Sequence, residues 1–159
     1  MTWAHLKAII AAALDWVRFT GAVAAPPVAR IALALPFLRS GLTRWDGWLA
    51  LSPATTFLFE ERFRLHVFGG AYMLPWPDLL AYMVGCAETI VPVLLIVGLA
   101  TRLSALGLLL MTGVIQLVFP EGWANFHLYW AALALSVMAL GPGWLSLDYL
   151  VQLRRSSTG

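Results

Sequence analysis

Long apolar stretches with few charges constrain this chain more than any other feature of its sequence. Four of them lie at about 28–45, 79–99, 103–119 and 127–140. A helix that crosses a bilayer uses roughly 20 residues, so four spans with short connections fill the chain. Charged residues make up 11% of the 159 residues, whereas soluble proteins contain about a quarter. Because a domain of this size cannot bury so much apolar surface, the sequence predicts an all-α bundle of four transmembrane helices.

The remaining segments complete a single integral membrane domain over residues 1–159. Apolar side chains at helical spacing over 3–19, with polar ones among them, predict an N-terminal helix lying in the membrane interface. A cleaved signal peptide ending near 22–25 is the alternative. Pro26 and Pro27 are expected to break the chain before the first span. Residues 46–78 are too polar and aromatic to span, which predicts an aromatic-rich outer loop at headgroup depth.

The distribution of basic residues predicts the orientation. With both termini inside, the cytoplasmic side carries five Lys and Arg against two Asp, and the outer loops carry three Arg against five acidic residues. The positive-inside rule therefore favours an inner-membrane protein with both termini in the cytoplasm. The net charge of +2 is too small to indicate nucleic-acid binding. We expect the lipid bilayer, and either a partner protein or further copies of the chain, as partners.

Glu88 is the strongest chemical signal, because it lies near the middle of the second predicted span. An ionised carboxylate at that depth costs several kcal/mol unless it is protonated, matched to a cation or exposed to a water-filled cavity. Such residues are functional by default, so Glu88 is predicted to be a catalytic proton carrier. The structural alternative is a Glu that only joins helices through hydrogen bonds.

Polar and aromatic candidates for a ligand site lie toward the outer half of the predicted bundle. His127 opens the fourth span and Trp130 follows on the same helix face, so a quinone ring could meet an imidazole donor and an aromatic wall. We predict His127 as the second catalytic residue and Trp130, Gln116 and Arg39 as quinone-binding residues. Three loop residues are further candidates: Asn125, His66 and Tyr72. For His127 and Trp130, the plain alternative is an interfacial position with no ligand.

Other cofactors find no support in the sequence. The histidines at 5, 66 and 127 and the single cysteine, Cys86, have no metal-ligand spacing. No glycine-rich nucleotide loop is present. We therefore predict neither a metal site nor a nucleotide site, and we interpret Cys86 as a small packing residue.

Three strings in order along the chain are similar to those of one family. Residues 30–44 carry an Arg and end in Gly-Leu-Thr-Arg, Glu88 is followed by Gly-Leu-Ala-Thr-Arg at 98–102, and residues 141–148 read Gly-Pro-Gly-Trp-Leu-Ser-Leu-Asp. In these features the chain resembles the DoxX family of small four-helix membrane proteins. Residues 57–75 and 123–130 are similar to the subgroup encoded beside metal-stress-induced secreted proteins and their iron-dependent peptide-modifying enzymes. Arg39 is not part of the family pattern.

The resemblance implies membrane redox work, since DoxX relatives are linked to a quinone-reducing, thiosulfate-oxidising system and to a complex with superoxide dismutase and a thiol-transfer partner. It predicts the membrane subunit of a redox or metal and oxidative stress system, binding quinone and serving as part of an oxidoreductase. The alternative is a non-enzymatic membrane scaffold that anchors or helps export a partner protein.

Overall fold

The computed structural model describes residues 3–157, which fold mainly into helices. The α-helices are α1 (Trp3–Leu42), α2 (Pro53–Phe57), α3 (Pro77–Val97), α4 (Thr101–Val118), α5 (Leu128–Leu140) and α6 (Leu147–Ser156). A short antiparallel hairpin, β1 (Arg64–Val67) and β2 (Gly70–Met73), pairs Arg64 with Met73. One π-helical turn, Leu58–Arg62, follows α2, and a second, Trp123–His127, precedes α5. A 3-10 turn covers Pro120–Gly122.

Four helices are long and apolar enough to cross a membrane: α1, α3, α4 and the helical run Pro120–Leu140. The predicted four-span, mostly helical bundle is therefore confirmed. The bounds of α3 and α4 lie within two residues of those expected from hydropathy. α3 continues through Pro92 without a break. Apart from Pro77 and Asp78, which begin α3, the predicted non-spanning segment lies outside the four helices and contains the β-hairpin in addition to α2.

The predicted break at Pro26 and Pro27 is wrong, because α1 is one continuous helix of 40 residues. The residues on both sides of the prolines are rich in alanine, which has the highest helix propensity. Transmembrane helices also tolerate proline where neighbouring elements support them. Pro26 is buried, and a Cβ added at Gly143 would lie 2.6 Å from its side chain. Whether residues 3–25 lie in the membrane interface stays a prediction.

The core is small and apolar and lies where α1, α3, α4 and α5 meet. α1 packs on α3 and α5, and α4 packs on the same two helices. Small residues let these helices approach one another, and larger ones fill the space between them. The buried core residues are Leu33, Ala34, Phe37, Leu95, Ala105, Leu108, Ala134 and Val137.

The end of the bundle that carries α6 is closed by polar contacts to backbone groups. α3 ends at Gly98 in the left-handed conformation. The Asp148 carboxylate then accepts the backbone N–H groups of Ala100 and Thr101, both at 2.8 Å, so it caps α4. Arg30 is buried and donates through Nη2 to the carbonyl of Leu145. α1, α4 and α6 are thereby joined at this end.

The opposite end of the bundle is covered by residues 43–76, called the outer segment below. Its fold starts locally: Ser52 accepts the Thr55 N–H, and Pro53 occupies the first turn of α2. The Thr55 hydroxyl donates to the carbonyl of Arg44 at 3.2 Å. Phe63 contacts Phe119 edge-to-face, with ring centroids 5.1 Å apart. These contacts hold the outer segment against the ends of α1 and α4.

Candidate functional site

A cavity of about 610 Å³ lies at the end of the bundle that the outer segment covers, between α1, α3, α4, the run leading into α5 and the outer segment. Its walls are mainly apolar and aromatic, and they include Phe37, Phe59, Phe63, Phe126 and Trp130. The polar side chains that line it are Ser40, Thr43, Arg44, Glu88, Glu121, Asn125 and His127. Sites for drug-sized ligands have this volume and this composition.

Glu88 is buried at one side of the cavity and forms an ion pair with Arg44. Arg44 Nε lies 2.5 Å from Glu88 Oε2, and Arg44 Nη2 lies 2.9 Å from Oε1. The Ser40 hydroxyl donates to Oε2 at 2.9 Å. The Glu88 side chain is 3% exposed and the Arg44 side chain is 12% exposed. Two parallel N–H···O bonds are the strongest arrangement of this pair, so Glu88 is matched to a cation.

A glycine allows the ion pair to form. A Cβ added at Gly41 would lie 2.7 Å from the carbonyl carbon and oxygen of Glu88 and 2.8 Å from Oγ1 of Thr89. α1 therefore contacts the backbone of α3 at this level. Because Ser40 and Arg44 flank Gly41 in sequence, this approach brings both within hydrogen-bonding distance of the Glu88 carboxylate.

The outer segment covers the Arg44 side of the cavity. The guanidinium carbon of Arg44 lies 5.2 Å from the ring centroid of Phe59, which is a cation–π contact. Phe59 is buried and belongs to the π-helical turn Leu58–Arg62. It also contacts Phe63, with the ring centroids 5.0 Å apart. The outer segment therefore supplies aromatic walls directly beside the ion pair.

His127 forms the second polar feature of the cavity. Its Nδ1 lies 2.6 Å from Oε1 of Gln116, and Nε2 of Gln116 donates to the carbonyl of Pro120 at 3.0 Å. His127 is buried and ends the π-helical turn Trp123–His127. Such turns are rare and are frequent at functional sites. Both π-helical turns among residues 3–157 contribute to this cavity.

Trp130 lies beside the imidazole, as the shared helix face predicts. The His127 and Trp130 ring centroids are 5.4 Å apart, and Phe37 lies 5.1 Å from Trp130 on the other side. Phe126 is 6.2 Å from Trp130. The indole is thus held within an aromatic cluster, and one part of it faces the cavity.

The structure brings together three of the five predicted site residues. Glu88, His127 and Trp130 line the same cavity, and Gln116 lies behind His127 as its hydrogen-bond partner. Arg39 is exposed and does not line the cavity. Of the loop candidates, Asn125 lines the cavity, whereas His66 contacts the carbonyl of Leu117 and Tyr72 is exposed and packs against Gly70.

Sequence reasoning did not identify Arg44 and Ser40 as the partners of Glu88, nor Phe59 as the aromatic neighbour of Arg44. The Gly-Leu-Thr-Arg string that closes α1 contains the relevant signal, since it places an Arg three residues after a glycine at the end of a span. The pairing of that Arg with the intramembrane carboxylate would then follow from the cost of leaving Glu88 alone. Within residues 3–157, no three His, Cys, Asp or Glu side chains are grouped closely enough to hold a metal ion.

Comparison with known proteins places the chain in a family. Neither a curated protein nor a solved structure matched it. The sequence profile of the DoxX family matches residues 25–121, which is more than half of the chain. The matched region contains the Gly41, Arg44 and Glu88 constellation and extends to the turn before His127. The chain is therefore a member of the DoxX family of membrane proteins.

Proposed function

We propose that this protein is the quinone-binding membrane subunit of a redox or stress-response system. The observation that carries the proposal is that a single cavity is lined by the Glu88–Arg44 pair, by His127 and by several aromatic rings. A quinone needs an apolar slot for its ring and polar groups at the ring's oxygen atoms. The resemblance of residues 57–75 and 123–130 to the subgroup associated with metal stress supports the stress-response setting, because Phe59 and His127 in these segments line the cavity.

The roles of the residues follow from their contacts. Trp130 and Phe37 supply flat apolar walls against which a ring can stack. Arg44 uses Nε and Nη2 for Glu88, and Nη2 also donates to the Ser40 hydroxyl, which leaves the N–H groups of Nη1 for a ligand oxygen. Glu88 fixes the position of Arg44, and a proton entering or leaving this carboxylate would change the charge beside the ligand. Gln116 orients His127, and Arg39 has no role in this proposal.

The test is to purify the protein in a mild detergent, extract the bound lipids and quantify quinone by chromatography. We expect the quinone, counted in its oxidised and reduced forms together, in the wild-type preparation and a smaller amount of it in Glu88→Gln and His127→Ala. Glu60→Gln and His66→Ala are matched controls, because both residues lie in the outer segment and do not line the cavity. Titration with tetramethylbenzoquinone, followed by tryptophan fluorescence, provides the affinity. A wild-type protein that neither retains quinone nor binds this probe would refute the proposal.

The second candidate function is a membrane scaffold that docks a partner protein through the outer segment. It is favoured by three large aromatic side chains, Trp48, Phe68 and Trp76, which are strongly exposed there. If this candidate is correct, Trp76→Ala impairs growth under metal or oxidant stress more than Glu88→Gln does. If quinone binding is the function, the order of the two effects is reversed.

We further propose that both termini are cytoplasmic and that the cavity opens toward the outer leaflet. The count of basic residues supports this orientation. Cys86 is the single cysteine, so a Cys86→Ser background allows a cysteine to be introduced at Glu60 or at Gln152. With a membrane-impermeant maleimide added to intact cells, labelling at Glu60→Cys and protection at Gln152→Cys are expected. The reverse pattern would overturn this orientation.

A further inference from the structure

The orientation of the Gln116 amide determines the tautomer of the neutral histidine in the cavity. The Pro120 carbonyl oxygen can only accept a hydrogen bond, so the Gln116 atom that lies 3.0 Å from it must be the amide nitrogen. The amide oxygen then faces His127 Nδ1 at 2.6 Å. Because that oxygen can only accept, Nδ1 must carry a proton. The neutral imidazole of His127 therefore has its hydrogen on Nδ1 and a lone pair on Nε2.

The lone pair on Nε2 has no partner among the residues that the structure describes. Among residues 3–157, His127 makes no side-chain hydrogen bond other than the one through Nδ1. A Cβ at position 122 would lie 2.8 Å from Nε2 and 2.5 Å from Cε1, so a larger residue there would collide with the imidazole. Gly122 and His127 both line the cavity. Nε2 is therefore an acceptor available to a ligand in the cavity.

The other ionisable group at this end of the cavity is also a hydrogen-bond acceptor. Glu121 also lines the cavity, and a carboxylate accepts hydrogen bonds without donating any. A carbonyl oxygen placed beside Nε2 would put two acceptors together and leave both unsatisfied, which is costly in an apolar cavity. A hydroxyl group placed there donates to Nε2.

From these contacts we infer that the cavity recognises a ring compound that presents a hydroxyl group to His127 Nε2, namely a quinol or a phenol, in preference to the oxidised quinone. The inference rests on the proposed function, since it names the form of the ligand that the proposed site selects. It reverses the role expected from the sequence, because His127 acts as the acceptor and the ligand as the donor. Gln116 is a positioning residue that acts through the imidazole.

The binding test compares three probes with the same tetramethyl ring: tetramethylhydroquinone, its dimethyl ether and tetramethylbenzoquinone. Titrations in detergent, under anaerobic conditions and at a pH where histidine is neutral, are expected to give about tenfold tighter binding for the hydroquinone than for the other two, since one buried hydrogen bond is lost in each. His127→Ala is expected to reduce this ratio to near one. His66→Ala, the exposed control, keeps the ratio.

The second test measures the tautomer without any ligand. Nitrogen-15 NMR spectra of the histidine-labelled protein in micelles contain three imidazoles, and His127→Ala identifies the one of interest. We expect a protonated Nδ1 and an unprotonated Nε2. Gln116→Leu is expected to give a mixture of tautomers and to lower the hydroquinone preference, and Gln116→Glu restores both because a carboxylate oxygen still accepts from Nδ1.

The outcomes separate this inference from the function on which it depends. Absence of binding by all three probes refutes the proposed function, and the NMR result then decides the tautomer alone. Binding with equal affinity for hydroquinone, ether and quinone refutes the inference but leaves a quinone site. A proton found on Nε2 of the wild-type protein also overturns the inference, whatever the probes show.

Discussion

Replacement of Arg44 by methionine tests the ion pair directly, because it removes the charge and keeps most of the side-chain length. Glu88 is then left with the Ser40 hydroxyl as its hydrogen-bond donor while remaining 3% exposed. Leaving one member of a buried ion pair alone typically costs about 3–5 kcal/mol, so we expect a loss of that size in the free energy of unfolding. Glu88→Gln is expected to cost less, about 1–3 kcal/mol, since Arg44 is 12% exposed and follows the end of α1, from which it can turn toward water.

The two substitutions should be strongly non-additive. The double variant Arg44→Met with Glu88→Gln contains no unpaired charge, so it should be more stable than Arg44→Met alone by at least about 2 kcal/mol. Unfolding in mixed detergent micelles with increasing dodecyl sulfate, followed by tryptophan fluorescence, measures all four proteins. Arg39→Met is the matched control and should stay within about 0.5 kcal/mol of wild type, because Arg39 is exposed. Additive effects, or a cost below about 1 kcal/mol for Arg44→Met, would refute this account of the ion pair.

Two further predictions concern the two ends of the bundle. Gly41→Ala should cost about 1–3 kcal/mol of stability, since its Cβ would lie 2.7 Å from the backbone of Glu88, whereas Gly113→Ala meets no atom within 4 Å and should be neutral or stabilising in the same denaturation assay. Burial raises the pKa of Asp148, but hydrogen bonds from the first backbone N–H groups of α4 and the charge of Arg30 outweigh it and lower the pKa below 3.8. The stabilisation by Asp148 is therefore complete above about pH 4 and is lost as the pH falls further, so thermal stability should decline more steeply with acid in wild type than in Asp148→Asn.

The helices were predictable because their signal is local. An apolar run of sufficient length has to cross the bilayer with its backbone hydrogen bonds satisfied, and this requirement places α3 and α4 within two residues. The continuity of α1 through Pro26 was not predictable, because it depends on contacts with Gly143, more than a hundred residues away in the sequence. The rule that proline breaks a helix considers only the local segment and does not include such long-range packing.

The sequence was sufficient to predict the carboxylate of the candidate site, Glu88, but not its partner cation, Arg44. Glu88 was identifiable from its depth alone, because any charged side chain at that position carries a high free-energy cost. The choice between Arg39 and Arg44 depends on where α1 ends and which face it presents. Five residues along a helix are about 1.4 turns, so side chains at that spacing point about 140° apart. The contact between Gln116 and His127 depends on the turns between α4 and α5, where the π-helical turn changes the register of the face that follows.

The two polar features of the cavity differ in what they leave for a ligand. Each carboxylate oxygen of Glu88 already accepts a hydrogen bond from Arg44, and Ser40 donates a third. The hydrogen bonds of this carboxylate are therefore formed within the protein. At His127, Nδ1 forms a hydrogen bond with Gln116, whereas Nε2 forms none with the described residues. Under the proposed function, the first feature stabilises the bundle and shapes the cavity, whereas the second selects what enters it. Substitutions at Glu88 should change folding and binding together, and those at His127 should act mainly on the choice of ligand.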